Sequence, residues 1–140
     1  MPINKEIFET KIAIVLEEGL QSWQKLNITA FLGSAIASHF PETMGPDFQD
    51  ASNIKYLGIF RHPVLIFSAT PNEIKRAYGR ARERNLDIGI YTRPIFTTQG
   101  DENLRAVGKL KEGEQDIVGF IVYGPKGLVD KSLKGLSLHK

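Results

Sequence analysis

The segment Lys11-Ile12-Ala13-Ile14-Val15-Leu16 decides the fold class, because apolar residues fill every position after its lysine. A strand with one face in water alternates apolar and polar residues, whereas a strand covered on both faces is apolar throughout. We therefore predict that this segment is a buried strand in a sheet with helices on both sides.

Strand-like and helix-like segments alternate along the rest of the chain. Predicted strands cover Val64–Phe67, Ile88–Tyr91 and Ile117–Tyr123, with a candidate short edge strand within Ile54–Phe60. Predicted helices run from Asn27 to Phe40, from Pro71 to about Arg84, from Asp101 through Leu104–Leu110, and over Leu128–Lys134. This alternation predicts a single α/β domain over residues 1–140, with three layers and a mixed, roughly four-stranded sheet.

Local capping signals define the ends of these helices. Thr70-Pro71-Asn72-Glu73 matches a capping box with proline at the first helical position, and Asn85 can adopt the left-handed conformation that ends a helix. Asn27 is the predicted N-cap of the first helix, because its side chain can accept a hydrogen bond from a first-turn amide.

The composition excludes several protein classes. With 140 residues, 41% of them hydrophobic, the chain can form a core, and the absence of cysteine rules out disulfides, thiolate zinc sites and cysteine nucleophiles. The longest apolar runs, Ile12–Leu16 and Val64–Phe67, are far shorter than a membrane span. Met1–Glu9 has no apolar core of a signal peptide, so we predict a cytoplasmic protein without a membrane partner.

The net charge of +2 is unevenly distributed along the sequence. Residues 72–84 and residues 126–140 each carry a net charge of +3, and the remainder therefore carries −4. Two basic stretches are a mild indication of an anionic partner. On the second helix, a phosphate-binding row of Arg76, Arg80 and Arg84 competes with a solvated face in which Arg80 pairs with Glu83, and the solvated face is favoured.

Familiar catalytic motifs are missing from the sequence. The three histidines, His39, His62 and His139, do not have the spacing of a metal site. A nucleophile elbow, a phosphate-binding loop and a dinucleotide fingerprint are also missing. We predict no metal and no cofactor.

Segments at both ends and in the middle of the chain carry a resemblance to a known family. They are Leu26-Asn27-Ile28-Thr29-Ala30, Thr98-Gln99-Gly100-Asp101-Glu102-Asn103-Leu104-Arg105 and Tyr123-Gly124-Pro125-Lys126-Gly127-Leu128-Val129-Asp130-Lys131. With them, the chain resembles the bacterial DUF2000 family of unknown function. That family lies within the type 2 peptidyl-tRNA hydrolase superfamily, which the chain resembles in Lys11–Leu16 with the loop and helix that follow, in Val64–Asp87, and in Gly124-Pro125 with Val129-Asp130-Lys131 and Leu136-Ser137-Leu138. The resemblance implies a hydrolase-like fold and leaves the activity open.

Two departures from the hydrolase pattern bear on activity. Hydrolases of this type have a Lys-x-Lys pair before the first helix, where this chain has one lysine, Lys25, and Asn27. They also have an aspartate after the third strand, where this chain has Tyr91-Thr92-Arg93-Pro94, although Thr97-Thr98-Gln99 is similar to the segment that follows. Because ester hydrolysis needs a positioned water and a group to activate it, we expect peptidyl-tRNA cleavage to be weak or absent.

Ligands of open α/β sheets bind beyond the carboxyl ends of the strands. We therefore predict that the loops after the first and third strands face one polar cleft with these ligand-binding residues: Lys25, Asn27, Arg93, Thr97, Thr98 and Asp101. Each also has a structural interpretation, since Asn27 and Asp101 can cap helices and Lys25 can be solvated. Trp23 can stack on a ligand or cover the core.

Two functions stay open at this point. The first is a protein that binds or hydrolyses a carbonyl or ester compound or an RNA-linked ligand, with a small polar ligand favoured over RNA. The second is a non-catalytic, homodimeric binding module with a vestigial site.

Overall fold

The structure is a computed structural model, and it describes residues 7–140. The strands are β1 (Thr10–Glu17), β2 (Phe48–Gln49), β3 (Lys55–Tyr56), β4 (Val64–Ala69), β5 (Asp87–Thr92), β6 (Ile117–Pro125) and β7 (Ser137–Leu138). The α-helices are α1 (Ser22–His39), α2 (Pro71–Glu83), α3 (Asp101–Gly108) and α4 (Lys126–Ser132). Short 3₁₀ turns cover Pro41–Thr43, Arg93–Thr97 and Glu112–Glu114. The predicted α/β class is confirmed.

Five strands form the main sheet, in the order β5-β6-β1-β4-β7. The sheet is mixed, because β1 pairs in parallel with β4 while the other neighbours are antiparallel. The prediction of four strands was wrong. The fifth strand pairs Leu138 with Phe67 and Ser137 with Ser68. A segment of two residues is too short to show the alternation of apolar and polar side chains that predicts a strand. Ser137 and Leu138 form a strand because the edge of β4 offers unpaired backbone groups.

A separate two-stranded hairpin lies between α1 and β4, where β2 pairs with β3. The predicted edge strand within Ile54–Phe60 therefore belongs to this hairpin and not to the main sheet. Within residues 7–140, helices are too short or too polar to cross a membrane.

Alternate residues of β1 pack into two separate hydrophobic cores, one on each face of the sheet. Ile12, Ile14 and Leu16 face α1, whereas Ala13 and Val15 face the opposite side. The first core includes Ile28, Leu32 and Ile36 of α1; the second includes Ile74, Ala77 and Ala81 of α2 and Val129 of α4. The sheet thus lies between α1 on one face and α2 with α4 on the other, as the apolar run in β1 predicts.

Helix α1 lies very close to strand β6 at one glycine. A Cβ atom added at Gly119 would lie 2.9 Å from Cγ2 of Ile28 and 3.3 Å from Cδ2 of Leu16. Real Cβ atoms essentially never lie within 3.0 Å of such a heavy atom, so the Ile28 contact cannot be accommodated without a shift. A side chain at Gly119 would therefore push α1 away from the sheet.

The capping signals of α2 are confirmed by its hydrogen bonds. The Thr70 hydroxyl accepts from the backbone N–H of Glu73 at 3.2 Å, and the Glu73 carboxylate accepts from the backbone N–H of Thr70 at 2.9 Å. The second bond lowers the pKa of Glu73. At the other end of α2, Asn85 adopts the left-handed conformation with φ of 55°.

The start of α1 differs from the prediction. The helix begins at Ser22, so Lys25 and Asn27 lie on a helix and Asn27 is not its N-cap. The Gln24 side chain accepts from the backbone N–H of Gln21 at 3.0 Å. This bond satisfies an amide at the helix start, which lets the polar residues after it join the helix.

Candidate functional site

A cavity of about 280 Å³ lies between α1 and the segment that follows β5. We call it the α1–β5 cavity, and its lining residues are Trp23, Asn27, Phe31, Tyr91, Ile95, Phe96, Thr98, Gln99, Gly100 and Asn103. Helix α1 forms one side of the cavity because it begins at Ser22, before the predicted start at Asn27. Residues 23, 27 and 31 are four positions apart, so they form one stripe on that helix.

Four aromatic rings form most of the apolar wall. The Trp23 ring meets the edge of Phe96 at 5.8 Å, Phe96 lies 4.9 Å from Tyr91, and Tyr91 lies 6.0 Å from Phe31, all between ring centroids. These separations are typical of aromatic pairs that stabilise one another. Trp23 and Phe31 are nevertheless 52% and 58% exposed. The rings therefore form a linked wall that solvent still reaches.

The polar groups of the cavity differ in how far they are already paired. The Thr98 hydroxyl donates a hydrogen bond to Oδ1 of Asn103 and, at 3.3 Å, approaches the carbonyl of Pro94. Tyr91 is 5% exposed, and burial raises the pKa of its hydroxyl. Burial raises that pKa further above neutrality, so the hydroxyl is protonated near neutral pH. Tyr91, which lines the cavity, therefore carries a hydroxyl that can donate a hydrogen bond.

The structure brings two of the six predicted site residues into this cavity. Asn27 and Thr98 line it together, from α1 and from the segment after β5. Those two segments therefore face each other across the cavity. The helical segment contributes Asn27 from within α1 and not from a loop.

The other predicted residues lie outside the lining of the cavity. Lys25 approaches His139, with 3.1 Å between Nζ and Nε2, at a different cavity of about 360 Å³. Thr97 donates its hydroxyl to the carbonyl of Pro94 at 3.1 Å. Asp101 is the first residue of α3, where Gly100 and not Asp101 takes the N-cap position.

Arg93 forms ion pairs with two carboxylates. Its Nε lies 2.8 Å from Oδ2 of Asp116, and its Nη2 lies 3.0 Å from Oε1 of Glu17. The Asp116 hydrogen bond and the neighbouring Glu17 raise the pKa of Arg93. The guanidinium thus links the turn after β5 to Glu17 of β1 and to Asp116 just before β6, and it contributes no free positive charge to the α1–β5 cavity.

A larger cavity of about 670 Å³ lies beside α2 and the turn at Glu112–Glu114. Its central groups already bind one another: the Tyr78 hydroxyl donates to Oε2 of Glu112 at 2.8 Å, and Nε of Arg82 donates to the same oxygen at 2.9 Å. These bonds lower the pKa of Glu112, while burial and then Glu112 raise the pKa of Tyr78. A ligand there would have to break this network, so the α1–β5 cavity is the better candidate.

Sequence reasoning missed part of this site. It named Trp23 as a stacking residue, but it gave no ligand-binding role to Phe31, Tyr91 or Phe96. The available signal was the spacing of Trp23, Asn27 and Phe31 on one helix. That spacing has meaning only when the helix starts before Trp23.

Comparison with known proteins is consistent with the resemblance in the sequence. The family model described as a protein of unknown function (DUF2000) matches residues 10–140. The chain belongs to the DUF2000 family. A solved structure of a protein of unknown function from Agrobacterium tumefaciens strain C58 is 30% identical, with a TM-score of 0.90, over 96% of this chain and all of that one. A search of curated proteins gave no match.

Within residues 7–140 of this DUF2000 protein, groups of three or more metal-ligating side chains do not occur. The cavity lining likewise contains no carboxylate, histidine or lysine. Its chemistry is that of aromatic rings, amides and hydroxyls.

Proposed function

We propose that this DUF2000 protein binds a small, neutral molecule with a flat ring and a carbonyl or amide edge, in the α1–β5 cavity. The observation that carries the proposal is the combination of four linked aromatic rings with uncharged polar groups around one opening. Small-molecule sites have this composition, with mainly apolar walls and a few placed polar groups.

The shape of the wall favours a flat ligand. Trp23 and Phe31 are half exposed although they belong to a linked aromatic wall. A planar ring stacked on either exposed ring would gain on the order of 0.5–1.5 kcal/mol per aromatic contact beyond area burial. A volume of about 280 Å³ suits a ligand of one or two rings.

The polar groups favour a ligand that both accepts and donates hydrogen bonds. The Tyr91 hydroxyl has a raised pKa and can donate to a carbonyl oxygen. The Asn27 side chain offers both a donor and an acceptor. A cyclic amide presents a carbonyl and an N–H side by side, so it satisfies both residues at once.

Binding fits the lining better than ester hydrolysis does. Hydrolysis requires a group that can take a proton from water near neutral pH, and the lining side chains offer only amides, hydroxyls and the Tyr91 phenol, whose pKa is raised. Membership of the type 2 peptidyl-tRNA hydrolase superfamily remains a proposal that rests on the resemblance of the segments quoted above.

The test is a binding screen of neutral heterocyclic amides, beginning with uracil and nicotinamide, by ligand-observed NMR. Phe31→Ala removes one ring of the wall, and the matched control is Leu26→Ala, because Leu26 lies on the same helix, is 71% exposed and is outside the cavity lining. We expect Phe31→Ala to weaken binding about tenfold and Leu26→Ala to leave it unchanged.

A second variant examines the polar half of the proposal. Tyr91→Phe keeps the ring and removes the hydroxyl, so it should weaken binding of a carbonyl-bearing ring and spare an isosteric ring without a carbonyl. Equal binding of wild type and Phe31→Ala, or the same loss in Leu26→Ala, would exclude this cavity as the site.

We also propose a homodimer in which the β2–β3 hairpin contacts the partner copy. The hairpin exposes five large apolar side chains, namely Phe48, Ile54, Tyr56, Leu57 and Ile59, and Leu57 is 84% exposed. Several large apolar side chains exposed within one short segment favour an interaction site there. Asp50 holds the hairpin in shape by accepting from the backbone N–H groups of Ser52 and Ile54 and from the Tyr56 hydroxyl.

A further inference from the structure

The two basic stretches of the sequence meet on one surface. A concavity of about 610 Å³ is lined by Gly135 and by four cations, namely Arg80 of α2, Arg84 at the C-cap of α2, Lys131 of α4 and Lys134 just after α4. We call it the basic concavity. Arg80 and Lys134 are 54 positions apart in the chain and yet joined by a hydrogen bond, from Nη1 of Arg80 to the Lys134 carbonyl at 3.2 Å. The basic concavity is therefore a product of helix packing.

Carboxylates do not neutralise these four cations. Among residues 7–140, none of the four forms an ion pair within 4.0 Å. Nη1 of Arg84 donates to the Arg80 carbonyl at 3.1 Å, which is again a neutral acceptor. The predicted pairing of Arg80 with Glu83 does not occur. The solvated face and the phosphate-binding row both stay predictions.

Nearby charged groups have other partners. Asp130, next to Lys131, accepts from Lys11 at 2.6 Å. Arg82, on another face of α2, pairs with Glu112 at 2.9 Å. Glu83 lines the separate cavity beside Glu112 and not the basic concavity.

The negative ends of the two helix dipoles offset only a small part of the positive charge. The cations lie at the carboxyl ends of α2 and α4, where basic residues commonly offset the negative end of the helix. Each helix end contributes about −0.5 of a unit charge, so two ends offset about one of the four positive charges. An excess of about three positive charges remains.

We propose that the basic concavity binds a compact anion that carries several phosphates, of the triphosphate class. Four cations converge on one concavity from two helices, which suits a ligand with dense charge better than an extended chain. Each guanidinium has five N–H donors, and Arg80 and Arg84 each use one of them in a hydrogen bond to a carbonyl. Both therefore retain donors for phosphate oxygens.

Arg76 extends the same surface by one helical turn. It lines a neighbouring cavity of about 220 Å³ with Arg80, Lys134 and Glu73. The Glu73 carboxylate accepts from the backbone of Thr70 and so faces the start of α2. Arg76 therefore adds positive charge beside the concavity, while Glu73 limits that gain on one side.

This site is independent of the proposed function in the α1–β5 cavity. The basic concavity lies on the face of the sheet covered by α2 and α4, and the α1–β5 cavity lies on the face covered by α1. Loss of one ligand by mutation should leave the other ligand bound.

The test is calorimetric titration of the full chain with sodium triphosphate, with orthophosphate, and with a short single-stranded RNA. The variant is the double substitution Lys131→Gln with Lys134→Gln, since these exposed lysines donate no side-chain hydrogen bond in the described residues. The control is Lys55→Gln with Lys109→Gln, which changes the net charge equally on other surfaces. Urea midpoints confirm that both double variants fold.

We expect wild type to bind triphosphate more tightly than orthophosphate. The Lys131→Gln, Lys134→Gln variant should bind triphosphate at least tenfold more weakly than wild type does. The control variant should bind triphosphate as tightly as wild type. Added salt should weaken the binding, because exposed charges are screened over about 10 Å at 0.1 M. The proposal is overturned by undetectable triphosphate binding, by equal loss in variant and control, or by RNA binding that requires the two lysines while triphosphate binding does not.

Discussion

Replacing Gly119 with alanine should destabilise the protein by forcing α1 away from the sheet. The added Cβ would lie 2.9 Å from Cγ2 of Ile28, 3.3 Å from Cδ2 of Leu16 and 3.3 Å from the Val15 carbonyl. Ile28 is fully buried, and the Val15 carbonyl belongs to the central strand, so neither contact can be relieved by a rotating surface side chain. Overpacking of this kind typically costs about 1–3 kcal/mol of unfolding free energy.

Urea denaturation of Gly119→Ala measures this cost, with Gly79→Ala as the matched control. Gly79 lies within α2, and a Cβ added there meets nothing within 4 Å. Alanine is the better helix former by about 1 kcal/mol, so the control should become more stable. The two substitutions thus add the same methyl group and should shift the urea midpoint in opposite directions.

A second-site substitution locates the clash. Ile28→Leu removes Cγ2 and keeps the side-chain volume, so it should recover part of the stability lost in Gly119→Ala. The double-mutant coupling between the two positions should exceed about 0.5 kcal/mol. A wild-type midpoint for Gly119→Ala, or a coupling near zero, would refute the close approach of α1 to β6.

The remaining predictions concern the capping of α2 and the hairpin. Thr70→Ala should lower the unfolding free energy by about 1 kcal/mol, measured by urea denaturation at pH 7, because it removes the acceptor for the Glu73 amide. The lowered pKa of Glu73 adds stability above the ordinary glutamate pKa of 4.5, and that stability is lost as the pH falls through the lower folded-state pKa. Wild type should therefore lose more stability than Glu73→Gln between neutral and acidic pH, and equal losses would contradict this role. Light scattering after size exclusion should give a dimeric mass for wild type and a monomeric mass for Leu57→Ser with Ile59→Ser, whereas a wild-type monomer would end the dimer proposal.

Patterns that depend on neighbouring residues predicted much of the fold. The apolar run in β1 indicated two covered faces, and both cores are present. The Thr70-Pro71-Asn72-Glu73 box and the left-handed Asn85 were predicted correctly, because capping uses atoms within a few residues of each other.

The candidate site was predicted only in part, because it depends on where α1 begins. The prediction placed the helix start at Asn27, so Lys25 was expected in a loop. Trp23 was then outside the helix, and its helical spacing from Phe31 was not recognised. Arg93 was expected as a free positive charge, and its two carboxylate partners come from β1 and from the start of β6, far away in the chain. Asn27 and Thr98 do share the cavity.

The sequence by itself determined the buried central strand, the α/β alternation and the ends of α2, since these follow from side-chain period and from hydrogen bonds a few residues long. Tertiary structure alone decided the other features. Strand β7 exists because β4 has a free edge, the aromatic wall forms because α1 lies across the end of β5, and the basic concavity forms because α2 packs against α4. Each of these joins groups that are distant in the chain, and their meeting depends on how the helices pack on the sheet.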